Sequence, residues 1–174
     1  MKYELNESLY IAEGDKRKVY YHPFDRNKII KINKIDNDDY FIESEYIKYL
    51  KNNNIIIPKY FVECENIIQT NMGTGYVYDY IDGNTLKDIK YINKQTLHNI
   101  QLFLSEAKYN KYFLFYCLDP KNIIIDKKNN IHLIDGIGCY PDNIQYLINH
   151  REILYKHIEK VKRYIHLFKI KREM

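Results

Sequence analysis

The sequence predicts an α+β fold in which strands fill the N-terminal half and helices dominate the C-terminal half. Runs rich in Ile, Val and Tyr occupy residues 9–32, 55–63 and 75–81, with turn-forming residues between them. Residues 96–108 and 153–168 instead repeat apolar side chains at helical spacing. In a chain of 174 residues, these patterns predict one compact unit or two small lobes that share a core.

The most informative stretch is residues 115–138, where two short apolar strands flank a polar turn. The strands are predicted at 123–125 and 131–134, which makes a β-hairpin with a loop of about five residues. Asn122 immediately precedes the first strand, and Asp135 immediately follows the second. Hairpin geometry brings these two side chains to the same end, close enough to share a cation. The simpler interpretation is an ordinary hairpin with polar ends.

The composition indicates a folded protein without a membrane span. Hydrophobic residues make up 45% of the chain and charged residues 29%, which suffices for a core. No apolar run approaches the roughly 18 residues that a span needs, and the first ten residues lack the apolar core of a signal peptide. Three cysteines, an odd number without metal-ligand spacing, are typical of a reduced compartment and predict a cytoplasmic protein.

Positive charge is concentrated at the C-terminus. The chain has a formal charge of +4, and residues 151–174 carry eight Lys or Arg against three Glu, so this tail accounts for +5 and the remainder for −1. The tail is predicted to be an amphipathic helix that completes the core with one face. Its basic face is either solvated or binds anionic lipid, nucleic acid or an acidic partner.

A lysine lies inside an apolar strand of the N-terminal half. Lys31 is flanked by Ile30 and Ile32, so its side chain either occupies the exposed phase of an alternating strand or turns inward toward an anion. The basic turn Gly14-Asp15-Lys16-Arg17 precedes it in the same group of strands. Taken alone, that turn is typical of a hairpin with solvated charges.

A helix follows, with a cap at Asp38 or Asp39 and an end near Lys51. Its apolar side is predicted to consist of Phe41, Ile42, Tyr46, Tyr49 and Leu50. Glu45 lies about 60° from the centre of this side, and Glu43 about 100° away on the other flank. A carboxylate beside a buried stripe needs a counter-charge, which Lys31 can supply to Glu45. The alternative is that Glu45 borders solvent.

In this order and spacing, the features resemble the protein-kinase-like superfamily and, more narrowly, the YrbL-type (PhoP regulatory network) family. Leu118, Pro120 and Asn122 match a kinase catalytic loop, and D-F-G becomes Asp135-Gly136-Ile137, with Gly138 following. The closer resemblance spans about residues 9–140. Its motifs are Gly14-x-x-Arg17-Lys18-x-Tyr20-x-His22-Pro23, Ile30-Lys31-Ile32, Ile57-Pro58-Lys59-Tyr60, Gly73-Thr74-Gly75-Tyr76-Val77-Tyr78-Asp79, Leu118-x-Pro120-x-Asn122-Ile123 and Asp135-x-Ile137-Gly138.

The resemblance implies a compact bilobal kinase-like fold in a single domain, residues 1–174. Residues 1–78 would be a β-rich N-lobe, 79–83 a hinge, and 84–174 a reduced, mainly helical C-lobe. It also implies ATP with Mg²⁺ or Mn²⁺ as cofactors, and the metal would be held by Asn122 and Asp135. The residues it assigns to the nucleotide are Gly14, Lys16, Arg17, Lys31, Glu45, Asp79 and Ile81.

The candidate catalytic group is Cys117, Asp119 and Asn122, and it departs from the kinase pattern. Cys117 stands where the catalytic Asp is expected, and a thiol is a poor substitute for a carboxylate base. Asp119 stands where a lysine is expected, which inverts the charge. Asp119 is the nearest carboxylate that can take over the role of the base.

Three functions follow from these observations. The first is a regulatory ATP- and metal-binding protein with a degenerate catalytic loop. The second is an active ATP-dependent kinase that uses Asp119 as base, with a protein or small molecule as its substrate. The third is a regulator that binds an acidic partner or nucleic acid through the basic tail. Nucleic acid is the less favoured ligand, because basic charge without a reading motif is poor evidence for it.

Overall fold

This computed structural model describes residues 2–34 and 39–170. Asp38, one of the two predicted helix caps, and residues 171–174 of the basic tail lie outside those ranges. The predicted α+β class is confirmed, with strands concentrated toward the N-terminus and helices toward the C-terminus. Across the same ranges, no helix combines the length and the apolar character needed to cross a membrane.

The strands and helices follow one another in this order: β1 Tyr10–Glu13, β2 Arg17–Tyr21, β3 Lys28–Asn33, α1 Asp39–Asn52, β4 Asn66–Thr70, β5 Gly73–Asp79, β6 Gly83–Thr85, α2 Lys94–Tyr109, β7 Ile123–Asp126, β8 Ile131–Leu133, α3 Ile144–Asn149 and α4 Glu152–Ile170. The chain divides into two compact units. The first comprises Met1–Tyr40 and Val62–Ile81, and the second comprises Phe41–Phe61 and Asp82–Met174. The predicted limits of the lobes and hinge stay a prediction.

The first unit is built on a five-stranded antiparallel sheet in the order β1-β2-β3-β5-β4. β3 lies at its centre, between β2 and β5, and its residues Ile30, Lys31 and Ile32 are buried. The residues that form this core are Leu5, Leu9, Tyr20, Ile30, Ile32, Ile68 and Val77. A central strand holds its side chains in a fixed register, which places Lys31 at a defined point of the sheet.

The prediction of a strand at residues 55–63 is wrong. Asn54, with φ of 54°, follows α1, and the chain then makes a turn in which the Phe61 N–H donates to the Pro58 carbonyl over 2.9 Å. Proline has no N–H to give to a sheet, so this apolar stretch packs without a ladder of its own. The strand that precedes β5 is β4, which the sequence analysis missed and which pairs with β5 as a hairpin.

The second unit packs α2 and α4 with a three-stranded antiparallel sheet in the order β6-β7-β8. The predicted apolar face of the tail helix is present, and its most deeply buried residues are Leu154, Ile158, Val161 and Ile165. They join a core that includes Ile100, Phe103, Leu104 and Ala107 of α2. The tail helix is therefore an integral part of this unit's core.

Candidate functional site

The hairpin of β7 and β8 sets the geometry of the candidate site. Ile123 pairs with Leu133 and Ile125 with Ile131, and the turn closes through the Asp126 N–H, which donates to the Asn130 carbonyl over 3.0 Å. At the opposite end, the Ile134 N–H donates to the Asn122 carbonyl over 2.9 Å. Asn122 and the residue that follows Ile134, Asp135, consequently lie at the same end of the hairpin.

The loop before Asn122 is bonded to the segment after Asp135 through the backbone. The N–H groups of Tyr116 and Cys117 both approach the Gly136 carbonyl, at 2.9 and 3.4 Å. Gly136 has φ of +77°, and a Cβ there would come within 2.2 Å of the Cys117 carbonyl oxygen. Only glycine allows the two backbones to approach this closely. The Asp-Gly pair thus locks the two halves of the candidate site together.

Two side-chain oxygens at this end have the chemistry of a metal site. The amide nitrogen of Asn122 donates to the Cys117 sulfur over 3.7 Å, which orients the amide group and its oxygen. Asp135 Oδ1 accepts from the Gly136 N–H at 2.8 Å and from the Tyr116 hydroxyl at 3.4 Å. These bonds orient the carboxylate.

This donor set fits magnesium. Mg²⁺ prefers oxygen ligands and is commonly bound by one or two carboxylates together with substrate phosphates and water. In the described part of the chain, no three His, Cys, Asp or Glu side chains form a metal cluster. The residues that could hold such an ion here are Asn122, through its amide oxygen, and Asp135, through its carboxylate.

Cys117 is a half-buried thiol with a raised pKa. Burial is the largest cause, and the negative charges of Asp119 and Asp135 add to it, whereas Lys160 and Lys121 oppose the rise. Because the neutral form is favoured, Cys117 is a protonated thiol near neutral pH. In that state it is neither a base nor a reactive thiolate.

Asp119 is an ion-paired carboxylate. Its Oδ2 accepts from Lys160 Nζ over 2.5 Å, and its Oδ1 accepts from the Lys121 N–H over 3.1 Å. Burial alone would raise the Asp119 pKa, but the hydrogen bonds from Lys160 and from the Lys121 backbone outweigh it and lower the pKa. Asp119 also caps the short 3₁₀ turn Pro120–Asn122, so it helps to orient Asn122.

Sequence reasoning missed Lys160. It lies on α4, 41 residues after Asp119, and nothing in its local sequence marks it among the other basic residues of the tail. The one available signal was the inverted charge at Asp119, because a carboxylate at that position called for a cation elsewhere.

The basic turn of the first unit joins β1 to β2. The Gly14 N–H donates to the Arg17 carbonyl over 2.8 Å. Gly14 and Lys16 are exposed, and a Cβ at Gly14 would meet no atom within 4 Å. Arg17 is 5% exposed, so among the two predicted basic ligands only Lys16 extends into solvent.

Lys31 is buried at the centre of the first unit's sheet. It is 5% exposed, which excludes the interpretation that it occupies the solvent phase of its strand. Its Nζ lies 4.2 Å from the ring centroid of Tyr78, which is itself 1% exposed. This cation–π contact stabilises an ammonium away from water. The sequence analysis did not predict that Tyr78 would lie next to Lys31.

The predicted hinge residues begin at the end of β5. The Asp79 carboxylate accepts from Lys28 Nζ over 2.7 Å, while the Tyr80 N–H donates to the Asn27 carbonyl over 2.8 Å. Ile81, two residues after Asp79, is half-buried. This segment is thus held in place on one side by the β3 strand and the turn that precedes it.

Glu45 borders solvent, which is the alternative that the sequence analysis left open. Its carboxylate pairs with Lys48 Nζ at 2.6 Å, and its side chain is 29% exposed. Glu43 is the buried carboxylate, with 2% exposure. The sequence analysis left Ile47 out of the apolar stripe. Including that buried residue rotates the centre of the stripe toward Glu43 and away from Glu45.

Comparison with known families gives a match over nearly the whole chain. Residues 3–170 match the family model described as "PhoP regulatory network protein YrbL". The matched range contains both units' candidate residues, from Gly14 to Asp135. No curated protein matches the chain.

Proposed function

This chain belongs to the PhoP regulatory network protein YrbL family, and we propose that it is a kinase-like regulatory protein that binds ATP with Mg²⁺ or Mn²⁺. The observation that carries the proposal is the convergence of Asn122 and Asp135 at one end of the β7–β8 hairpin. An amide oxygen and an oriented carboxylate there are suited to a divalent cation, and the cation would supply the positive charge that a phosphate chain requires.

A separate part of the proposal concerns residues of the first unit. Lys31 is a buried lysine of the central strand, and its ammonium lies against the ring of Tyr78. The resemblance to kinases assigns Lys31 to the phosphates of the nucleotide. Gly14, Lys16, Arg17, Asp79 and Ile81 keep their predicted assignments to the nucleotide.

The chemistry of the loop favours binding over rapid phosphotransfer. A general base works best when its pKa lies near the working pH. The pKa of Cys117 is raised away from this optimum because its thiol is buried near carboxylates. The pKa of Asp119 is lowered away from it because Lys160 donates a hydrogen bond to the carboxylate. Neither residue is tuned to accept a proton from a hydroxyl group. A regulatory role, in which nucleotide occupancy alters docking to a protein partner, is consistent with this chemistry.

Two alternatives remain as proposals of lower rank. An active kinase would use Asp119 as base despite its ion pair, which requires Lys160 to move away during turnover. A binding role of the basic tail would use the exposed face of α4 for an acidic partner. In that helix, Lys160 and Lys162 are already paired with Asp119 and Glu159, which reduces the charge available.

Thermal melting with and without Mg-ATP tests the proposal. Binding at about 100 times the dissociation constant adds about 2.7 kcal/mol of stability, so the melting temperature of the parent protein should rise by several degrees. Asp135→Asn should abolish the metal-dependent part of this rise. Asp142→Asn, which neutralises an exposed carboxylate elsewhere in the second unit, is the matched control and should keep it.

The result that contradicts the proposal is an unchanged melting temperature of the parent protein up to millimolar Mg-ATP. A shift that Asp135→Asn leaves intact would retain nucleotide binding but would remove the metal from the hairpin end. A labelled-ATP assay on the same samples separates the regulatory protein from the kinase. Turnover that Asp119→Asn abolishes even at saturating Mg-ATP would favour the kinase.

A further inference from the structure

The ion pair between Lys160 and Asp119 connects the C-terminal helix to the loop that carries Asn122. One oxygen of Asp119 accepts from Lys160 and the other accepts from the Lys121 N–H in the turn that ends at Asn122. A single carboxylate thus contacts both Lys160 and the turn that ends at Asn122. This arrangement sets the position of the Lys160 ammonium relative to the hairpin end.

Neighbouring contacts fix the helix that carries Lys160. Ile158 and Val161 are 1% and 0% exposed, and the His157 ring packs edge-on against Phe115, with centroids 5.9 Å apart. The backbone of α4 is therefore anchored beside the loop. The Lys160 side chain is 59% exposed, so its ammonium is accessible to a ligand from solvent.

Two lysines and two carboxylates belong to this loop and its contacts. Asp119 accepts from Lys160 and from the Lys121 N–H, and Lys121 directly precedes Asn122 in the turn. Asp135 lies with Asn122 at the same end of the hairpin. A divalent cation at Asn122 and Asp135 would leave this group with an excess positive charge, which an additional anionic group of the ligand would neutralise.

We infer that Lys160 binds the terminal phosphate of a nucleoside triphosphate, and that Asp119 is a positioning residue that holds Lys160. The inference rests on the proposed function, since it places its ligand at the proposed metal site. A metal bound by one or two protein oxygens takes further oxygens from phosphates. A triphosphate has one more anionic group than a diphosphate. The exposed Lys160 ammonium has three donors, of which Asp119 takes one, so further donors can receive that group. Lys160 would thereby make the site prefer ATP to ADP.

The test measures the affinity of Mg-ATP and Mg-ADP by calorimetry at low salt, on the parent and on Lys160→Met and Lys160→Arg. A charge-assisted contact to phosphate predicts about a tenfold loss of Mg-ATP affinity in Lys160→Met and less than about a twofold change for Mg-ADP. Lys160→Arg should restore most of the loss, because arginine keeps the charge. Lys162→Met removes an exposed, ion-paired lysine of the same helix and should leave both affinities unchanged.

The positioning role of Asp119 is tested by the double variant. Asp119→Asn should weaken Mg-ATP binding in the parent but have no weakening effect in the Lys160→Met background, because the lysine it positions is gone. Equal weakening in both backgrounds would overturn this role. An exposed ion pair contributes little to folding, so the melting temperatures without ligand should stay close to that of the parent.

The outcomes separate the two proposals. A parent protein that binds neither nucleotide with magnesium overturns the proposed function, and this inference with it. If the parent binds Mg-ATP but Lys160→Met changes the ATP and ADP affinities equally, or changes neither, only the assignment of Lys160 to the terminal phosphate is overturned.

Discussion

Gly136 and Cys117 are in backbone contact, so close that a Cβ on Gly136 would come within 2.2 Å of the Cys117 carbonyl oxygen. The contact joins the residue after the candidate metal ligand Asp135 to the loop that leads to Asn122. It involves backbone atoms on both sides, which cannot move aside as a flexible side chain can. The geometry of the candidate site therefore depends on a glycine at this position.

The first prediction follows from this contact. Gly136→Ala combines a clash with an unfavourable positive φ, and we expect it to lower the free energy of unfolding by on the order of 3 kcal/mol. Gly14→Ala is the control, because a Cβ there meets no atom within 4 Å, and it should change stability by less than about 0.5 kcal/mol. Urea unfolding of both variants measures the difference. Equal effects would show that Gly136 does not lie against the loop.

The second prediction concerns the reactivity of Cys117. Since the negative charge of Asp119 raises its pKa and the positive charge of Lys160 lowers it, the two partners of one ion pair have opposite effects. Below the pKa, the thiolate fraction grows as the pKa falls. Asp119→Asn should therefore speed alkylation of Cys117 by iodoacetamide at pH 7.5, and Lys160→Met should slow it.

A Cys64→Ser background keeps this measurement specific to Cys117. The remaining cysteine, Cys139, is buried, and burial raises its pKa to about 12, so it should react far more slowly. Faster alkylation in both variants would indicate that breaking the ion pair opens the loop, which is a different result from a change in pKa.

The third prediction distinguishes the two glutamates of α1. Glu43 is buried and interacts with other groups of the protein, and a glutamine would not reproduce those interactions, so Glu43→Gln should destabilise the protein by about 1–3 kcal/mol. Glu45 forms an exposed pair with Lys48 three residues later, a contact worth about 0.2–0.5 kcal/mol. Glu45→Gln should accordingly have an effect close to that value. Chemical denaturation of both variants measures the two losses of stability. A larger loss in Glu45→Gln than in Glu43→Gln would refute the assignment of Glu43 as the buried glutamate.

The fourth prediction tests whether the C-terminal helix belongs to the core of the second unit. Ile158 is 1% exposed, whereas Leu167, on the same helix, is 58% exposed. Ile158→Ala leaves a cavity and should cost about 2–5 kcal/mol, while Leu167→Ala should stay within about 0.5 kcal/mol of the parent. Thermal unfolding provides the measurement. If the tail were a separate binding arm, Ile158→Ala and Leu167→Ala would both have small and similar effects on stability.

Local sequence was sufficient for the elements whose signals are short-range. The β7–β8 hairpin follows from two apolar runs around a polar turn, and the tail helix from an apolar stripe at helical spacing. Asn122 and Asp135 come to one end of the hairpin because antiparallel pairing dictates it. These features depend on contacts between residues close in sequence, so periodicity and turn residues reveal them.

Only the tertiary structure decided which charged groups meet and which are buried. Lys160 reaches Asp119 across 41 residues, and Lys31 lies against Tyr78 of a neighbouring strand. The burial of Glu43 in place of Glu45 depends on a stripe widened by one residue, Ile47. Such pairings follow from how helices and strands pack, and a charged side chain carries the same local signal whether its partner is water, a ring or a carboxylate distant in sequence.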